Sequence, residues 1–332
     1  MLEKPDIPDD YLLFNIRDTY NIPFVELSFL SIGADANSAV YHAVTTDGAP
    51  YFLKLRRGFD KAGVLVPRLL HERGSTNVIP PLPTGDNRLW TDLDEYTVIL
   101  YPYVAGHDGY DTELSDAHWL TFGTAVRDLH DLSLPSDLAG LIPRETYTGR
   151  WRDLVRLHLS RLDGEYCDPT AIDMAAYLRS KRDEVLRLVD RTEALAEALM
   201  AQPPELVLCH ADLHAGNVLI SQGQLYIVDW DTLLLAPRER DLMFPGGAQG
   251  FRGHSPDEEE ALFYQGYGLS PRNQQALAYY RGERIVEDIA VECEQVFGLQ
   301  AGEADRAQEF SYLRRNFAPD GTLAAAYRIQ WR

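Results

Sequence analysis

An α+β fold of two unequal lobes is what this sequence predicts, and three observations carry the expectation. The first third holds short, closely spaced β-forming runs. A strand near residue 100 carries a proline and passes into a loop-like tract, and the remainder follows helical periodicity. The division falls at 1–100 for a small antiparallel β-rich N-lobe, 101–106 for a hinge and 107–332 for a larger, mainly helical C-lobe, with a cleft expected between the lobes.

Residues 24–56 contain FVELSFLSI, AVYHAVTT and APYFLKLR, with the turn signal Asp47-Gly48 between the last two, which predicts an antiparallel meander. A helix is expected over 62–73, weakened by Gly63 and Pro67. EYTVILYPYV, 95–104, reads as a strand whose continuation Pro102 limits, and VAGHDGY after it reads as a loop. Ser115 offers an N-cap for a helix to about 132, with Trp119, Phe122, Val126 and Leu129 at helical spacing. Residues 170–201 lack Gly and Pro and predict one or two amphipathic helices. Near CHADLHAGNVLI, 209–220, the chain returns to strand: LVLCH ends one, ADLHAGN is a loop, VLIS is a second, QGQ turns, and LYIVDWD is a third ending at Asp229. Helices follow near 257–268 and 274–296.

Composition narrows the function classes. The chain has 332 residues, 45% of them hydrophobic, and a formal charge of −20 spread along its length. That charge argues against binding nucleic acid or anionic membrane and favours a cationic small-molecule partner. Cys167, Cys209 and Cys293 form no CxxC pair, so a disulfide scaffold is not expected and a reduced, cytoplasmic protein is. The N-terminus is acidic without an apolar signal core, and no apolar run reaches the ~20 residues that span a bilayer. Nothing in the sequence sets the oligomeric state.

The chemistry concentrates at 210–231. Asp212 and Asn217 are separated by four residues, and Asp229 closes the following strand. A base, an amide oxygen and a carboxylate in this order suit phosphoryl transfer, with Mg²⁺ as a hard cation for oxygen ligands. A rival reading makes His210, Asp212 and His214 a zinc site, because alternate residues on a strand share a face, but no clustered fourth ligand is evident. A plain polar loop is the third reading, in which His210 bonds nearby backbone.

HADLHAGN followed by YIVDWD resembles the aminoglycoside phosphotransferase family, relatives of the protein kinases. The similarity continues through GADANSAVY, YFLKL, ILYPYV, IVDWDTLLLAPRERDLMF and YYRGERIVEDIA, nearly the whole chain. The resemblance implies a bilobal protein-kinase-like fold that uses ATP and Mg²⁺. By matching position, Asp212 is the catalytic aspartate, Asn217 and Asp229 hold metal and nucleotide, and Lys54 pairs with the nucleotide phosphates. Gly33-x-Asp35-x-x-Ser38-x-Val40 occupies the frame of the phosphate loop with its first glycine only, leaving amides near Asn37 and Ser38 to reach phosphate. Pro102 C=O and Val104 N–H are the acceptor and donor for adenine, and Asp241 braces the catalytic loop. The helix glutamate that would pair with Lys54 has no clear match; Glu72 is the nearest, and the partner stays unassigned.

Glu283 and Glu287, and Asp288 and Glu292, lie four apart on the 279–294 helix, where like charges cost about 0.2–0.5 kcal/mol per pair and Arg284 to Asp288 offsets part of this. That face is either solvated or lines a site for a cationic acceptor, with Glu287, Asp288, Asp231 and Trp230 as the candidate contacts. APRERDLMF and RIVEDIA narrow the resemblance to the spectinomycin-phosphorylating branch. The expected function is a kinase transferring the γ-phosphoryl group of ATP to a hydroxyl of an aminocyclitol or aminoglycoside antibiotic. Alternatives are a kinase for choline, homoserine or another amino alcohol, a stress-response-type protein kinase, and a nucleotide-binding regulatory pseudokinase.

Overall fold

The computed structural model of the protein describes residues 4–31, 37–268, 272–298 and 302–329. In chain order these form α1 (Asp9–Tyr20), β1 (Phe24–Leu30), β2 (Ser38–Thr45), β3 (Pro50–Arg56), α2 (Ala62–Glu72), β4 (Thr91–Leu93), β5 (Tyr96–Pro102) and β6 (His107–Asp108). Next come α3 (Asp116–His130), α4 (Ser136–Ala139), α5 (Arg150–Ser160), α6 (Pro169–Ala201), β7 (Val207–Cys209), β8 (Val218–Ser221), β9 (Gln224–Ile227) and β10 (Leu234–Ala236). The chain ends with α7 (Glu239–Leu242), α8 (Pro256–Tyr267), α9 (Gln274–Phe297), α10 (Glu303–Asn316) and α11 (Thr322–Tyr327). The antiparallel N-terminal sheet and helical C-terminal part are those of the kinase-like fold that the resemblance implies. No described helix is long and apolar enough to cross a membrane.

Two compact units share the chain. One comprises Met1–Glu113, Leu132–Pro143 and Ala215–Leu233; the other comprises Leu114–Asp131, Arg144–His214 and Leu234–Arg332. This differs from a simple cut at 101–106, because the β8–β9 hairpin and its flanks at Asn217 and Asp229 group with the N-terminal residues, where Ile227 bridges Val78 and the Asn77 side chain donates to the Leu225 carbonyl. The motif loop thus changes unit between His214 and Ala215.

The first unit is built on an antiparallel sheet ordered β1-β2-β3-β5-β4. Lys54 lies opposite Val40 on one side and Ile99 on the other, so the 14-residue spacing from Val40 is a cross-strand register. Successive strand side chains face opposite ways. Leu53 and Leu55 are therefore fully buried while Lys54 and Arg56 share the other face. Burying each leucine contributes about 1.5–3 kcal/mol. They join Phe24, Tyr41, Val98 and Leu100 in a core that α1 completes with Leu12, Ile16 and Tyr20. The i, i+4, i+8 spacing of those three residues signals α1, a helix the sequence reading does not include.

Helix α2 forms despite its two breakers. Pro67 is buried within it, and Gly63 permits a close approach, since a Cβ there would stand 2.9 Å from the Trp230 carbonyl oxygen. Gly63→Ala gains about 1 kcal/mol of helix propensity. Overpacking against backbone costs about 1–3 kcal/mol, so a net loss of stability is expected in a denaturation midpoint, and a raised midpoint would contradict the contact.

The β8–β9 hairpin turns through Gln222 and Gly223, both at positive φ, the geometry of a two-residue type I′ turn. Strand β9 stops at Ile227, two residues before the end expected from LYIVDWD, and Asp229 adopts φ 62°.

In the second unit β7 pairs with β10, and helices supply the rest. Ser115 caps α3 by accepting from the His118 N–H at 3.2 Å, and the His118 ring returns a bond to the Ser115 N–H, closing a capping box. Residues 170–201 form one helix, α6. Helix α9 buries Ile285, Val286, Ile289, Ala290 and Cys293 among residues of α5 and α6. That leaves 283, 284, 287 and 288 on one half-buried stripe, where the charged residues sit.

Candidate active site

In the first unit, Lys54 donates to Asp231 Oδ2 at 2.5 Å and to Asp229 Oδ1 at 3.1 Å. Arg56, two residues on along the same face, also reaches Asp231 Oδ2 at 2.5 Å. Burial works against the Lys54 ammonium, but Asp229 and Asp231 outweigh it and hold the pKa above the ordinary lysine value. The two aspartates differ in access: the Asp231 side chain is 19% exposed and that of Asp229 53%. Asn217 closes a 3₁₀ turn, Ala215–Asn217, and its carbonyl accepts from the Val228 N–H at 3.0 Å. The hairpin thereby sets Asn217 beside the backbone that leads into Asp229. An amide oxygen and an accessible carboxylate form a donor set of the kind a hard divalent cation takes.

In the second unit, Asp212 Oδ1 accepts from Arg284 at 2.7 Å, and Oδ2 lies 3.4 Å from His214 Nε2. Burial pushes the Asp212 carboxyl up, but His214 and Arg284 outweigh burial and hold it well below the usual carboxylate range. Arg284 also meets Asp288 at 3.0 Å, one turn along α9. The 284–288 pair is legible from helical spacing. The contact with Asp212 is not, because its partner lies 72 residues away.

The loop carrying Asp212 is anchored from below. Asp241, fully buried on α7, accepts the N–H groups of His210 at 2.9 Å and Ala211 at 2.7 Å, and lies 3.1 Å from His130 Nε2. His130 Nδ1 is in turn 2.8 Å from the Tyr267 hydroxyl. These bonds hold Ala211 at φ 68°, a left-handed conformation that costs on the order of 1–3 kcal/mol and collects at functional sites. The His210 ring accepts the Asp212 N–H at 3.3 Å, a bond to backbone as the polar-loop reading expects of this histidine.

The acceptor candidates separate sharply. Trp230 is buried with its indole N–H on the Ile227 carbonyl, and Asp231 is engaged by Lys54 and Arg56. On α9, Glu283 pairs with Arg152 at 2.5 Å and Asp288 with Arg284. Burial, with Asp288 adding, pushes Glu292 up to about 10, so it is protonated at neutral pH. Glu287 has no hydrogen bond or ion pair among the described residues. Burial raises its pKa against the pull of Arg284 and Arg240.

Glu72, the nearest helix candidate for Lys54, pairs instead with Arg68 at 2.7 Å. Pro102 ends β5 opposite Tyr51, and the Val104 N–H beyond it has no hydrogen-bond partner among the described residues. Ser38 opens β2 and the Asn37 carbonyl accepts from Arg57 N–H at 2.8 Å, whereas Gly33 and Asp35 of the phosphate-loop frame lie outside the described residues. The zinc reading finds no support in the geometry. The His, Cys and acidic side chains that cluster among the described residues are His130, Cys209 and Asp241, and there Asp241 is committed to two amides and His130.

A sheet lysine held by two aspartates, a braced Asp-x₄-Asn loop and a kinase-like fold define a phosphotransferase. The chain belongs to the phosphotransferase enzyme family, whose model matches residues 28–280. It is 33% identical to the spectinomycin phosphotransferase APH(9)-Ia solved with ADP and spectinomycin, over 97% of this chain and 98% of that one, with a TM-score of 0.91. The AMP-bound complex of the same enzyme aligns at 31% identity over 98% and 100% of the chains, TM-score 0.87. Protein StrN of Streptomyces griseus is 24% identical over 303 residues, 87% of this chain and 85% of that protein.

Proposed function

We propose that this protein is a cytoplasmic kinase that transfers the γ-phosphoryl group of ATP to a hydroxyl of a compact, amine-bearing aminocyclitol, spectinomycin above all. The observation that carries the reading is the end-to-end likeness to APH(9)-Ia, at a TM-score of 0.91 and 33% identity. In this reading Asp212 accepts a hydrogen bond from the acceptor hydroxyl and aims its oxygen at the γ-phosphorus. The new P–O bond forms as the bond to the β–γ bridging oxygen breaks, ADP leaves, and the hydroxyl proton passes to Asp212. A carboxylate held so far below its ordinary pKa is a weak base, so the proton moves late and orientation is its main contribution, as a loose transition state requires. Lys54 pairs with the nucleotide phosphates, and the amides near Asn37 and Ser38 support them. The Pro102 carbonyl and Val104 N–H receive the adenine. Asn217 and Asp229 would hold Mg²⁺, which when bound neutralises charge on the phosphates.

Glu287 is the carboxylate left to meet the acceptor's ammonium. Glu287→Gln is expected to raise the acceptor KM by roughly 10–150-fold, from about 1.5–3 kcal/mol for a charged hydrogen bond, with the KM for ATP unchanged. Steady-state kinetics at varied acceptor and varied ATP check this, and equal changes in both would remove Glu287 from acceptor recognition. The reading as a whole is tested by coupled ADP release across spectinomycin, kanamycin, choline and homoserine. Spectinomycin should give the highest kcat/KM. A higher value for choline or homoserine would assign an amino-alcohol kinase instead, and no substrate-dependent ADP release with any of them would favour a pseudokinase.

A further inference from the structure

We propose that Asp231 is the positioning residue of Lys54, taking the place of a helix glutamate. The inference rests on the kinase reading above and gives Asp231 a nucleotide-side role in place of acceptor binding.

Four observations converge on it. Lys54 and Arg56 put two cations on one face of β3, with side chains only 14% and 17% exposed, so they require buried counter-charge. Helix α2 supplies none: its first turn has no acidic residue, and Glu72 at its far end is held by Arg68. Asp231 supplies it, with Oδ2 at 2.5 Å from both Lys54 Nζ and Arg56 Nη1. Gly63 then brings the start of α2 onto this segment. A Cβ at Gly63 would lie 2.9 Å from the Trp230 carbonyl oxygen and 3.2 Å from Asp231 Oδ1. The helix that would carry a glutamate instead carries a glycine, and the space holds Asp231.

The two aspartates on Lys54 divide the work by access. Asp229 is more than half exposed and stands in a left-handed conformation, so it suits an outward ligand. Asp231 is largely enclosed and bridges two strand cations, so it suits a permanent partner. Its effect on catalysis runs through the lysine: it fixes where the ammonium stands.

The test is ADP affinity by calorimetry in the absence of acceptor, for the wild type, Asp231→Asn, Lys54→Ala and the double variant, with KM values for ATP and acceptor measured alongside. Asp231→Asn is expected to lower ADP affinity or kcat/KM for ATP by roughly 10–100-fold, the range seen when a residue that orients a ligand-binding group is lost. The acceptor KM should stay the same. In the Lys54→Ala background the same substitution should add nothing, because the two residues act as one unit. A raised acceptor KM with unchanged ADP affinity, or losses that multiply in the double variant, would overturn the proposal. If Asp231→Asn does not fold, Gly63→Ala decides, since it disturbs this contact while keeping every carboxylate: weakened ADP binding at constant acceptor KM supports the role, and a raised acceptor KM alone refutes it. ADP binding needs no acceptor, so a wrong choice of antibiotic leaves this test intact.

Discussion

Asp212→Asn is expected to lower kcat by about 10²–10⁴-fold, the range for a side chain positioned to orient a nucleophile and take up its proton, while ADP affinity stays close to wild type. Asparagine keeps the size and one acceptor oxygen for Arg284, so the loop has no steric reason to move. It removes the negative charge that, in the proposed mechanism, orients the acceptor hydroxyl and finally takes its proton. The effect on kcat should exceed that on any KM, because the lost interaction belongs to the transition state. Single-turnover ADP release, with calorimetry for binding, separates the two quantities. Turnover near the wild-type value would take Asp212 out of the mechanism.

Asp241→Ala is expected to be the most destabilising single change around the loop. It strips two buried backbone N–H groups and a buried histidine of their shared acceptor. Breaking one partner out of a buried charged set costs about 3–5 kcal/mol, a large share of the 5–15 kcal/mol that holds a typical domain. A drop in Tm of roughly 6–20 °C follows for a unit of this size. Activity should fall even where the protein remains folded, since Ala211 would no longer be held left-handed just before Asp212. The pH dependence has a definite sign. Burial alone would raise the Asp241 pKa, but His130 and the backbone donors outweigh it, so the folded value lies below the unfolded one near 3.9. Its stabilisation is therefore complete above the unfolded pKa and is lost as pH falls through the folded pKa. Acid unfolding of the wild type should show this component and Asp241→Ala should lack it; matching acid profiles would argue against the brace.

What the sequence makes legible is local. Asp212, Asn217 and Asp229 stand out because polar residues at fixed short spacing interrupt apolar runs. The capped start of α3 and the meander around Asp47-Gly48 follow from nearest-neighbour rules. Lys54 is legible through strand alternation, since Leu53 and Leu55 define the opposite face. The contacts these residues make across the sequence carry no local signature: Arg284 on Asp212, Asp231 on Lys54, Gly63 against Trp230. One clue does exist in the sequence. Lys54-x-Arg56 places two cations on one strand face, which calls for nearby acidic residues, and Asp229-Trp230-Asp231 offers two. The exposed acidic appearance of α9 misleads for a related reason: spacing cannot reveal that Arg152 and Arg284 take up Glu283 and Asp288 and leave Glu287.

The most direct measurement is mass spectrometry of spectinomycin after incubation with purified protein and Mg·ATP, with the Asp212→Asn variant run in parallel. The account predicts that the antibiotic gains one phosphoryl group in step with ADP released, and that the variant leaves it unmodified. Spectinomycin recovered unchanged while choline or homoserine is phosphorylated would contradict the assignment of this enzyme to an antibiotic acceptor.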